Sequence, residues 1–138
     1  METASPPCPL DHVSRPLTLG AIPSSPRTAR AVARSLLIEW GLADLADAVE
    51  LVVSELVTNA VQVSARYEVP SPVQFRMSAV QSKVLIEVWD CDPRQPIIRQ
   101  PIDFEESGRG LLLVTTLSTE WGWTEFNRGK IVWAEIDA

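Results

Sequence analysis

The chain has little with which to hold itself together covalently: two cysteines, Cys8 and Cys91, in 138 residues. They are unlike positions with no metal-type spacing, which argues against a disulfide framework or a zinc site, and both read as reduced thiols. Histidine occurs once, as His12 in a proline-rich stretch, too little for a histidine-based metal centre. Basic residues are outnumbered, 12 against 18 acidic ones, and the net charge is -6. Phosphate-rich partners are drawn to basic surfaces, so a general nucleic-acid or anionic-membrane binder is not expected, and any anionic ligand has to be held by local donors. No apolar run approaches the roughly 18–20 residues of a membrane span, and the opening METASPPCPLDHVSRP lacks the basic-then-apolar pattern of a secretion signal. The expectation is a soluble, cytoplasmic protein.

What is present suits one domain. A hydrophobic share of 46% in 138 residues is enough for one real core and too little for two. Six of the eleven prolines fall in residues 1–26. Residues 1–15 are therefore expected to be a disordered leader and 16–138 the folded domain.

Alternation in Leu17, Leu19 and Ala21 predicts a short strand. Ser25-Pro26 is a helix entry, since serine caps and proline is tolerated at the first helical position; that helix stops at Gly41. A second helix is expected over 43–65. At ~100° per residue, Leu45, Val49, Val52, Val53, Leu56, Ala60 and Val63 share one arc, with Asp47, Ser54 and Thr58 opposite. Glu55 and Asn59 fall on the border, where side chains line the edge of a cleft. Period-2 runs at 73–79 and 83–90 predict a hairpin, Pro93 to Ser107 a loop, and Gly108 to Leu117 a glycine-bracketed turn into an apolar helix. Strands around 120–126 and 130–136 meet at Asn127-Arg128-Gly129. The pattern predicts an α+β fold, a two-layer α/β sandwich with a mostly antiparallel sheet and helices on one face. The five tryptophans read as packing residues.

Three polar clusters are candidates for chemistry: Glu55 with Asn59, Asp90 at a strand end, and Gly108-Arg109-Gly110 at a helix start. Singly each has a duller reading, as a solvated helix pair, a turn residue and a helix cap. Together ELVTNA (55–60), VWDCDP (88–93) and SGRGLLLV (107–114) resemble the ATP-binding motifs of the histidine-kinase-like ATPase superfamily, the Bergerat fold. The likeness runs from Leu17 to Ile136 and is greatest to anti-sigma-factor serine/threonine kinases, including the small actinobacterial ATP-binding regulators, whose endings WGW (121–123) and GKIVWAEI (129–136) are similar.

The resemblance implies ATP and Mg²⁺ as cofactors and assigns roles. Asn59 corresponds to the Mg²⁺ ligand, an amide oxygen being a suitable hard donor. Glu55 corresponds to the catalytic residue that orients or deprotonates the attacking hydroxyl. Asp90, ionised, accepts from the 6-amino group of adenine and repels the carbonyl oxygen of guanine, with Asp92 a second carboxylate near the pocket. Gly108, Arg109, Gly110 and Leu111 would bring backbone donors to phosphate, and residues 94–107 would form a lid carrying Arg94 and Arg99. Two departures stand out. Relatives follow the last glycine with a threonine that fixes the adenine and the buried aspartate, where this chain has Lys130-Ile131, which implies weaker nucleotide binding. They also follow the asparagine motif with a basic residue and histidine, where this chain has Val61-Gln62-Val63-Ser64, which implies a missing phosphate contact.

Two functions follow from the resemblance. One is a serine/threonine protein kinase that phosphorylates an anti-anti-sigma (STAS) partner and controls transcription through a sigma factor, with a homodimer as the relatives' common state. The other is a non-catalytic module of the same fold that binds a partner with or without nucleotide. A sensor histidine kinase is not expected, because no dimerisation helix carries a phosphoacceptor histidine.

Overall fold

The computed structural model describes residues 11–96 and 110–137, with backbone only for 110–112. The elements in chain order are β1 (His12–Val13), β2 (Leu17–Leu19), α1 (Ser25–Glu39), a 3-10 turn (Ala43–Leu45), α2 (Ala46–Ala65), β3 (Val73–Val80), β4 (Lys83–Asp90), α3 (Gly110–Leu117), β5 (Glu120–Phe126) and β6 (Gly129–Asp137). The sheet is antiparallel throughout, in the order β1-β3-β4-β6-β5, with β2 beside β3 on the same margin as β1. The expected two-layer α+β architecture is therefore present.

Alternation decides what each strand buries. Val84, Ile86, Val88 and Asp90 of β4 stand opposite Ile136, Ala134, Val132 and Lys130 of β6, and all eight are buried. This row faces α2, which packs on β3, β4 and β6 and carries α1 and α3 against its other faces. Being covered on several sides, α2 buries Val57, Val61 and Ser64 in addition to Val49, Val52, Val53, Leu56 and Ala60. Two members of the expected arc, Leu45 and Val63, stay half-buried at its margins. Small residues on α1, Ala29 and Ala33, let its backbone approach α2 closely, and Leu37 closes the contact. The stretch Ala43–Ala65, 23 residues containing an 18-residue window with a mean hydropathy of 1.2, is long and apolar enough to match a membrane span by length and composition. The sequence reading missed this; here the stretch forms the spine of the core.

Two local expectations change. The helix entry is not capped as predicted: Ser24 holds the N-cap position in a right-handed helical conformation without a side-chain cap, and the Ser25 hydroxyl donates instead to the carbonyl of Gly20 at 2.7 Å. Within the stretch expected to be a leader, His12–Val13 pairs with Ala79 and Ser78. Side chains fix that short strand. Ser14 Oγ accepts from the Met77 amide at 2.9 Å, Asp11 accepts from the Gln81 amide at 2.8 Å, and the His12 ring stacks on Trp40 with centroids 5.2 Å apart.

Both hairpins turn on two residues in the left-handed region, Gln81 and Ser82 (φ 49° and 67°) and Asn127 and Arg128 (φ 50° and 63°). Left-handed pairs match the twist of the strands they join, yet they crowd any side chain other than those of Gly and Asn. Ser82→Gly is therefore expected to raise stability by about 0.5–1 kcal/mol, read as a higher urea midpoint with unchanged slope.

Candidate functional site

Cross-strand register places Asp90, the last residue of β4, opposite Lys130 at the start of β6. They are 0% and 1% exposed. Lys130 Nζ donates to Asp90 Oδ1 at 3.0 Å and to the carbonyl oxygen of Asp92 at 2.8 Å, and the Asp92 amide donates to the same Oδ1 at 2.8 Å. Burial pushes the Asp90 carboxyl up from its usual range, and the Asp92 amide and the Lys130 ammonium act against that rise. Gly129 allows this close pairing: a Cβ there would collide with the carbonyl oxygen of Asp90 and stand 2.9 Å from the Trp89 ring.

The position expected to weaken the site by lacking a threonine hydroxyl thus carries an ammonium that braces the same aspartate. One carboxylate oxygen, Asp90 Oδ2, is buried and has no hydrogen-bond partner among the described residues. An unmatched buried acceptor is costly unless a donor reaches it.

Asp92 is nearly buried and bound by Arg94. The guanidinium Nε lies 2.9 Å from both carboxylate oxygens, Nη2 lies 2.6 Å from Oδ2, and the Arg94 amide donates to Oδ1 at 2.9 Å. The Arg94 side chain holds the Asp92 carboxyl below the usual range, against the opposing effect of burial. Arg94, expected in the lid as a phosphate contact, is in this conformation committed to Asp92.

Asn59, Gln62 and Val63 of α2, with Arg66 at its C-cap, face Asp92, Arg94 and Lys130 across a cavity of about 120 Å³ that Gln95 and Pro96 complete. Small-molecule sites typically offer roughly 300–1,000 Å³, so these walls frame part of a nucleotide-sized ligand and not all of it. One helical turn before Asn59, Glu55 opens into a neighbouring groove of about 490 Å³, where Ser54, Glu55 and Thr58 of α2 face Arg27 and Arg30 of α1. Arg30 Nη1 donates to Ser54 Oγ at 2.8 Å. Glu55 and Asn59 are both half-buried, as their border position on the helical wheel implies.

Of the predicted site residues, Asn59 and Asp92 share the cavity, Asp90 reaches it through Lys130, and Glu55 lies in the adjoining groove. Gly110 and Leu111 open α3, which packs on α2. Gly108, Arg109 and Arg99 lie outside the described residues, as does Cys8; Cys91 is a free thiol. Among the described residues no cluster of His, Cys, Asp and Glu has the makings of a metal site. The sequence reading missed Lys130 as a buried partner and Arg66 as a wall residue. The signal for the first was its place in the inward row Lys130, Val132, Ala134, Ile136; the signal for the second was the i, i+3, i+7 spacing of Asn59, Gln62 and Arg66.

Comparison with known proteins agrees with this architecture. A family model described as "Histidine kinase-like ATPase domain" matches residues 20–136. No curated protein matches. Among solved structures, the RsbU and RsbW domains of Rv1364c from Mycobacterium tuberculosis are similar at 24% identity and a TM-score of 0.60, over 90% of this chain and 32% of that one. The histidine kinase domain of a blue-light activated histidine kinase from Erythrobacter litoralis is similar at 28% identity and a TM-score of 0.49, over 68% of this chain and 45% of that one. The chain thus spans less than half the length of either.

Proposed function

The chain belongs to the histidine kinase-like ATPase domain family, and on that premise we propose that it is a cytoplasmic, ATP-dependent anti-sigma-type kinase. In this reading it transfers phosphate to a serine or threonine of an anti-anti-sigma (STAS) partner and restrains a sigma factor when that partner is absent. The observation that carries the proposal is the arrangement on α2: Glu55 in the groove and Asn59 in the cavity, four residues and so about 6 Å of helix rise apart.

The donor set fits Mg-ATP. Asp90 Oδ2 is a buried acceptor without a donor among the described residues, which is what a 6-amino group would satisfy, and Lys130 holds the other oxygen so that the carboxylate keeps its orientation. Bound Mg-ATP would supply the phosphoryl group and the charge that neutralises it in transfer. Asn59 offers an amide oxygen to the metal, and the backbone of Gly108, Arg109, Gly110 and Leu111 is the proposed phosphate cradle. Glu55 has the groove's volume beside it for an acceptor side chain, whose hydroxyl proton it would take or orient. A homodimer, the habit of the resembling kinases, is the proposed assembly.

The test has two arms. Mg-ATP at ~100 times its dissociation constant is expected to stabilise the chain by about 2.7 kcal/mol, a shift of several degrees, with GTP giving little. Labelled phosphate is expected to pass to a STAS partner, with Glu55→Ala lowering that rate about 100-fold or more while leaving the ATP shift in place. No shift with ATP would end the nucleotide reading. An ATP shift with partner binding but no transfer would leave the non-catalytic module.

A further inference from the structure

We infer that Arg66 is a phosphate-contacting residue of the cavity, holding the nucleotide by its charged end; this rests on the ATP-binding reading above. Among the described residues three cations line the cavity, Arg66, Arg94 and Lys130, and two of them are committed. Lys130 is bound to Asp90 and to the Asp92 carbonyl, and Arg94 is bound to Asp92 through both carboxylate oxygens. The Arg66 side chain makes no ion pair or hydrogen bond among the described residues. Among the described residues the one carboxylate on the cavity wall is Asp92, and Arg94 already matches it, so no described side chain there competes with a ligand for Arg66.

Its placement is specific. On a helix, residues 59, 62 and 66 fall within a band about 60° wide, and long side chains lean toward the N-terminus, which aims Arg66 back along the wall toward Gln62 and Asn59. A guanidinium is the side chain best matched to phosphate, because its planar fork donates two parallel hydrogen bonds and stays charged at any working pH. In a chain of net charge -6, an uncommitted guanidinium in a cavity wall is a local attraction for an anion that the protein as a whole repels. Arg66 thereby supplies, two turns after Asn59, the positive charge that positions 61–64 do not.

Equilibrium binding of ATP, ADP and adenosine to the full chain in Mg²⁺ tests this, with Arg66→Ala and Arg66→Lys beside the parent and a thermal melt to check that each variant folds. Arg66 is exposed, so neither substitution is expected to disturb folding. Arg66→Ala should weaken ATP binding about 10-fold and leave adenosine within about twofold, with Arg66→Lys in between because a lysine keeps the charge but loses the fork. Equal loss for ATP and adenosine, or no loss for ATP, overturns the assignment while the ATP-binding reading stands. Failure of the parent to bind ATP overturns both.

Discussion

Replacing Lys130 with methionine is expected to cost about 3–5 kcal/mol of folding stability, the range for breaking a buried ion pair from one side. The loss is large because of what remains. Asp90 keeps its place at 0% exposure, still tied to the Asp92 amide, but with no countercharge, while the Asp92 carbonyl loses its donor as well. The sign with pH follows from the direction of the Asp90 shift. Its carboxyl is already raised by burial with Lys130 present, so removing the ammonium raises it further. A group whose folded value lies above its unfolded one favours the folded state fully below the unfolded pKa and loses that contribution as pH rises through the folded value. Lys130→Met should therefore be least damaging in acid, where Asp90 takes up a proton, and most damaging at neutral pH. Urea titrations of parent and variant across that range provide the check, and a deficit independent of pH would show that packing, not charge, is at stake. The double variant Asp90→Asn/Lys130→Met should recover much of the loss, since it leaves no unpaired charge in the interior.

Gly129→Ala is expected to cost about 3 kcal/mol, at the top of the usual range for overpacking. Most small-to-large changes are softened by side chains that move aside. Here the nearest atom is the backbone carbonyl oxygen of Asp90, with the Trp89 ring next at 2.9 Å, so relief requires β4 and β6 to part where Asp90 faces Lys130. The same displacement would pull Lys130 Nζ from Asp90 Oδ1, and ATP-induced stabilisation should fall along with basal stability. The added methyl at Gly20, by contrast, meets only the flexible Ile22 side chain at 3.8 Å or beyond. Gly20→Ala is the matched control, and equal melting temperatures for the two variants would refute the steric account.

Much of this architecture was legible in the sequence because its signals are local. The period-2 runs of β3 and β4, the Gly41 stop after α1 and the border position of Glu55 and Asn59 all depend on neighbours along the chain, and the structure has the strands, the stop and the half-burial of both residues. The features that escaped depend on pairing across the chain. Lys130 reads only as the residue that stands in for the relatives' threonine at the opening of a strand until β6 is set beside β4, forty residues earlier, and its alternation turns it inward against Asp90. His12–Val13 reads as part of a proline-rich leader until the margin of β3 is there to receive it. The Ser25 hydroxyl reads as a cap because that is its commonest task near a helix start, whereas the chain folds back far enough for the Gly20 carbonyl to claim it. Arg66 lay beyond the motif that drew notice to α2, and only the walls supplied by Asp92, Arg94 and Lys130 give it a surrounding to act on.

Glu55 and Asn59 look out through separate mouths on one helix, the first between α1 and α2 and the second beside Lys130. Two reactants entering by different doors do not have to queue. Either substrate can arrive first and either product depart first, so initial-rate plots for the proposed transfer should intersect in the sequential, random-order manner, and an excess of the spent nucleotide should compete with fresh nucleotide while leaving the protein acceptor's access unblocked.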